Sequence, residues 1–115
     1  MESTTNRAVE AAIKYLARKG YDILEDGRGS DCGIVARDGD AIAFVDVAAS
    51  EPGEGFAGPA TERARREAAA GKWLTLNAGT ISEGPFRFDD IALIPISGSR
   101  AMIRHHVNSL GTLED

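Results

Sequence analysis

The chain has 115 residues, 43% of them hydrophobic and 27% charged, with four prolines and a formal net charge of −5. That length and balance describe one globular domain with a single core and leave no room for a second. The negative charge argues against a broad phosphate-binding surface, because nonspecific nucleic-acid affinity comes largely from lysine and arginine displacing counterions, although a local basic patch stays open.

At the amino terminus, Met1 to Arg7 is polar, and no apolar run along the chain is long enough to span a bilayer. The expectation is a cytoplasmic protein with neither a secretory signal nor a membrane partner. Ser3, Thr4 and Thr5 offer caps to a helix from about Asn6 to Lys19, with Ala8, Val9, Ala12, Ile13 and Leu16 as its buried stripe. Gly20 is the left-handed stop. Glu10 and Lys14, at i and i+4, form an ordinary exposed pair on that helix. Tyr21 to Glu25 reads as a short strand, and Asp26-Gly27-Arg28-Gly29-Ser30 as a flexible connection.

A hairpin follows from Asp31 to Ala48, turning at Asp38-Gly39-Asp40. Its Cys32 is the only cysteine, so no internal disulfide can form, and with two histidines no closed zinc site of the usual kind is available. Cys32 therefore reads as a small buried strand residue. Period two places Asp46 and Ala48 on one face of the second strand, where a carboxylate and a lysine would stand side by side if chemistry were intended. The carboxylate is there and the lysine is not.

From Ala49 to Pro59 the chain carries Ser50, Pro52, Gly53, Gly55 and Gly58, the composition of a mobile loop over about residues 49–60. Thr61 is placed to cap a second helix through about Leu74, bearing Arg63, Arg65, Arg66 and Lys72. Such a run ordinarily marks a solvated face, and it also offers contacts to phosphate or to an acidic partner. Trp73 reads as a core or rim anchor rather than a platform for bases. Thr75 to Gly84 shows neither clear periodicity nor a single strong breaker. Pro85 through Ile94 is a strand, and Ser97-Gly98-Ser99 turns the chain into another from Ala101 to Val107. His105 and His106 are neighbours there, so they face opposite sides and share no metal. The order of helix, three strands, helix and two strands predicts an α/β fold, a mixed β-sheet flanked by helices.

Several stretches together resemble the YraN-like family of small bacterial proteins, whose fold is restriction-endonuclease-like within the PD-(D/E)XK superfamily. They are Tyr15-Leu16 with Gly20-Tyr21 and Ile23-Leu24, then Ile34-Val35-Ala36-Arg37-Asp38-Gly39, then Phe44-Val45-Asp46-Val47, then Arg87-Phe88-Asp89 with Ile91-Ala92, and finally Ile103 through Asn108. The resemblance covers about Arg7 to Gly111. It implies a site in which a strand acid, a second acid and a lysine surround magnesium, which activates water against a phosphodiester. Here Gly33 stands at the first acidic position, Asp46 at the second and Ala48 at the basic one. On the first helix Val9 stands where the family has glutamate, and Glu10 is one residue late, about 100° around the helix axis.

These departures point to a relative of metal-dependent nucleases without catalytic activity, needing no cofactor and retaining binding of nucleic acid or protein. Arg63, Arg65 and Arg66 are the candidate contacts. Two alternatives stay open. One is a live magnesium-dependent DNA endonuclease whose site has moved onto Asp31 and Asp46 as metal ligands, with Glu10 or Glu51 as a third carboxylate. The other is a protein-interaction module in which the 49–60 loop and the arginine-bearing helix meet a partner protein or a second copy of the chain.

Overall fold

A computed structural model describes residues 4–27, 33–49, 63–81, 84–97 and 100–108. The expectations for Ser3, Asp31, Cys32, Glu51, Thr61, residues 50–59 and the Gly98-Ser99 turn lie outside them. Within them the order is α1 (Thr4–Arg18), β1 (Asp22–Asp26), β2 (Ile34–Asp38), β3 (Ala41–Ala49), α2 (Arg63–Leu76), β4 (Phe86–Ser97) and β5 (Arg100–His106). The five strands form one sheet in sequence order, antiparallel except for the parallel β3–β4 pair. This is the expected mixed α/β sheet. Parallel pairing needs a crossover, and α2 lies within it.

Local chemistry sets the element ends. Gly20, at φ 95°, closes α1 with the Gly20 N–H on the Ala17 carbonyl and the Tyr21 N–H on the Leu16 carbonyl, both at 3.0 Å. That is the paired arrangement in which a left-handed residue satisfies the last helical carbonyls. Gly39, at φ 63°, makes the tight turn of the β2–β3 hairpin. At the other end of that hairpin Gly33 has φ 71° and precedes β2, so Gly33 itself is not in extended strand conformation.

The two helices cover opposite faces, as the alternation along β3 and β4 requires. On one face Ala8, Ala12 and Leu16 of α1 pack on Ile34, Ala43, Val45, Ile91 and Leu93. On the other, Ala70 and Trp73 of α2 pack on Val35, Ile42, Phe44 and Phe88. The indole meets the Phe44 ring edge-on, 5.8 Å between centroids, which settles Trp73 as a core anchor. α1 lies closer to the sheet than α2, because it presents alanines where α2 presents Arg66 and Trp73. No helix among the described residues is long and apolar enough to cross a membrane.

Candidate functional site

Two adjacent acids, Asp89 and Asp90, interrupt the apolar β4. Alternation sends one to each face, and both are buried, so each needs a cationic or hydrogen-bonding partner. Each has one, in two separate clusters.

On the α2 face, Asp90 is in register with Asp46 across the parallel pair, so the two carboxylates stand side by side. Arg66 reaches down from α2 between them. Its Nε donates to Asp46 Oδ2 at 3.2 Å and its Nη1 to Asp90 Oδ2 and Oδ1 at 3.3 and 3.4 Å. Its Nη2 donates to the carbonyl oxygens of Asp89 at 2.9 Å and Phe44 at 3.4 Å. These contacts use the whole donor set of a guanidinium. The Phe88 ring lies beneath at 5.3 Å, and only 4% of Arg66 is exposed. Arg65, half exposed, adds a second cation 3.6 Å from Asp46 Oδ2. The arginine run of α2 is therefore split. Arg63 and Arg65 are partly exposed to solvent, whereas Arg66 is buried.

On the α1 face, Asp89 is fully buried and accepts from four donors. They are Arg87 Nε at 3.0 Å, Arg87 Nη2 at 3.3 Å, His105 Nε2 at 2.9 Å and the Asn108 N–H at 2.9 Å. Asn108 aims its N–H there from a left-handed turn at φ 56°. The other ring nitrogen of His105, Nδ1, shares a hydrogen bond with the Tyr15 hydroxyl 3.1 Å away. Arg87 also donates to the Tyr21 hydroxyl at 2.8 Å and to Asp38 at 3.2 Å. Burial alone would raise the Asp89 carboxyl, but the hydrogen bonds from His105, Arg87 and Asn108 outweigh it and hold the group below its ordinary value. Burial raises the Tyr21 hydroxyl, with Arg87 opposing. Among the described residues no buried side-chain nitrogen or oxygen lacks a hydrogen-bond partner.

His105 and His106 do face opposite sides, the first buried against Asp89 and the second exposed. Val9 packs with the α1 core. Glu10 rides on α1, the helix across the sheet from the face that carries Asp46, and the structure brings Asp46 to Asp90 and Arg66 instead. Sequence reasoning passed over Asp90, Arg87 and Asn108. The legible signal was a pair of acids inside an apolar strand, which announces buried charge on both faces of a sheet.

The chain is 33% identical over 107 residues to a UPF0102 protein of Trichlorobacter lovleyi, an alignment covering 87% of this chain and 84% of that protein. It is 37% identical over 95 residues to a UPF0102 protein of Methylocella silvestris, covering 70% of this chain and 77% of the other. The chain belongs to the UPF0102 family. UPF0102 is the YraN family, so the resemblance read from the five sequence stretches holds at the level of the family. No protein-family profile matches this UPF0102 chain.

Among the described residues, the side chains around Asp46 do not make the divalent-ion site that the resemblance implies. A Cβ on Gly33 would come 2.6 Å from the Val45 carbonyl oxygen and 3.2 Å from Asp46 Oδ1, so no ligating side chain can start there without moving backbone. Ala48 offers a methyl group where a water-orienting base would stand. Asp46 is already engaged by Arg66 and Arg65. Among the described residues no three His, Cys, Asp or Glu side chains converge as a metal site.

Proposed function

We propose that this chain is a single restriction-endonuclease-like domain, related to metal-dependent nucleases, that no longer cuts and instead binds nucleic acid through the surface beside the former site. The observation that carries the reading is the Arg66 guanidinium lodged between Asp46 and Asp90, at 3.2 and 3.3 Å from their carboxylates. With Arg65 also 3.6 Å from Asp46, two guanidiniums balance the two carboxylates and oppose the charge that draws a metal, and an arginine cannot acidify a water as a metal does. The α/β architecture, with a hairpin, a crossover helix and a parallel third-to-fourth strand pair, is compatible with that fold.

Binding is supported by how the cations are distributed on a chain of net charge −5. Arg63 and Arg65 project at the start of α2, and Arg100 and Arg104 lie on the exposed face of β5. Exposed arginine guanidiniums suit phosphate, which accepts two parallel N–H donors. The test uses labelled branched and linear DNA with magnesium or manganese. Salt-sensitive binding without cleavage is the expected result. Cleavage abolished by Asp46→Ala would overturn the reading in favour of a live enzyme, and absence of both binding and cleavage would leave a protein-interaction module.

A further inference from the structure

We propose that Arg66 is the resident cation of the Asp46–Asp90 pair, occupying as a guanidinium an oxygen-lined site that would otherwise take a divalent metal ion, and so excluding metal while fastening α2 to the β3–β4 strands. This rests on the reading of a lost cleavage site and goes beyond it by naming what took the ion's place and what that replacement now does.

The atoms that accept these hydrogen bonds from Arg66 are oxygens, from the carboxylates of Asp46 and Asp90 and the carbonyls of Phe44 and Asp89, while the Phe88 ring lies 5.3 Å from the guanidinium. Carboxylate and carbonyl oxygens together are the donor chemistry of a hard cation. Two carboxylates held side by side by strand register, with their side chains only 23% and 12% exposed, repel one another unless a positive charge lies between them. Arg66 supplies it from a helix whose Ala70 and Trp73 are buried on the same stripe, at spacings of four and seven residues. The cation is thus tethered, and an ion from solution must displace a group that never leaves. The third position has closed as well, since a Cβ on Gly33 would meet the Val45 carbonyl oxygen at 2.6 Å. The consequence is a change of task. A metal at this place would activate water, whereas the guanidinium links α2 to two strands by five donors and stays put.

The test reads manganese by paramagnetic broadening of amide signals and by melting temperature, in the wild-type chain, in Arg66→Met and in Arg66→Met with Asp90→Asn. Wild type is expected to show no broadening centred on Asp46 and Asp90 and no manganese-dependent rise in Tm. Arg66→Met keeps the aliphatic volume and removes the charge, so it should melt lower without metal and gain both effects with manganese. The added Asp90→Asn should abolish them. An Arg66→Met chain that folds only when manganese is supplied supports the proposal. One that folds yet binds no manganese at this pair, or that stays unfolded with manganese present, overturns it. Broadening at Asp46 and Asp90 in wild type without DNA cleavage overturns this inference alone, whereas manganese-dependent cleavage by wild type without broadening there sinks the functional reading.

Discussion

Replacing Asp89 by asparagine isolates what the buried charge on the α1 face contributes. The substitution keeps the shape, removes the charge and turns one acceptor oxygen into a donor. Asp89 Oδ1 faces Arg87 Nε and the Asn108 N–H, and Oδ2 faces His105 Nε2 and Arg87 Nη2, so the new amide must point an N–H at a donor on one side. Removing one partner of a buried ion pair costs about 3–5 kcal/mol. The lower end applies here, because Arg87 retains Asp38 at 3.2 Å and is partly solvated. At the usual unfolding entropy per residue, about 3 kcal/mol in a chain of this size lowers Tm by about 12 °C. Urea unfolding followed by Trp73 fluorescence should show a lower midpoint at unchanged slope. A loss below about 1 kcal/mol would refute the clamp, since ordinary substitutions already reach that value. The acid limb adds a check of sign. The Asp89 carboxyl lies below its unfolded value near 3.9, so the folded state binds fewer protons than the unfolded one in that range. Its stabilisation is present above about pH 4 and is lost as pH falls through the folded value. Asp89→Asn should flatten that acid limb.

Gly33→Ala is expected to destabilise by about 1–2 kcal/mol from the left-handed backbone alone, and by more once the Cβ meets the Val45 carbonyl; an unchanged thermal midpoint would contradict the strain. Gly33→Asp, which restores the missing acid on paper, should lower Tm and leave branched DNA uncut in magnesium. Phe44→Ala removes the ring at the meeting point of Trp73, Phe86 and Phe88, with an expected loss of about 3–5 kcal/mol and a shift in Trp73 emission. Arg65→Ala should leave Tm nearly unchanged, because an exposed ion pair contributes about 0–1 kcal/mol. It should weaken DNA binding and reduce the salt slope by about one; a full wild-type slope would remove Arg65 from the interface.

Element order, helix and strand type and the two glycine turns were legible in the chain because they are local. The stripe of Ala8, Ala12 and Leu16 repeats at helical spacing, Gly20 and Gly39 fit left-handed turns, and β3 alternates as a strand should. The run Arg63-Ala64-Arg65-Arg66 reads as one solvated face with contacts for phosphate or an acidic partner, because sequence spacing carries no distance to Asp46 and Asp90. For His105 the sequence shows only that it faces away from His106; its partners, Tyr15 and Asp89, lie 90 and 16 residues away.

By itself the sequence determined the α/β class, the family, and that glycine and alanine stand at 33 and 48, where the resemblance implies an acid and a base; all of this resides in residue identity and short-range periodicity. Only the tertiary structure decided that Asp46 and Asp90 stand in register, that Arg66 rather than Arg65 is the buried cation, and that Gly33 has no space for a side chain. The division has a physical basis: propensity and turn chemistry act over a few residues, whereas pairing of buried charge depends on strand register and helix placement, which chain neighbours do not encode.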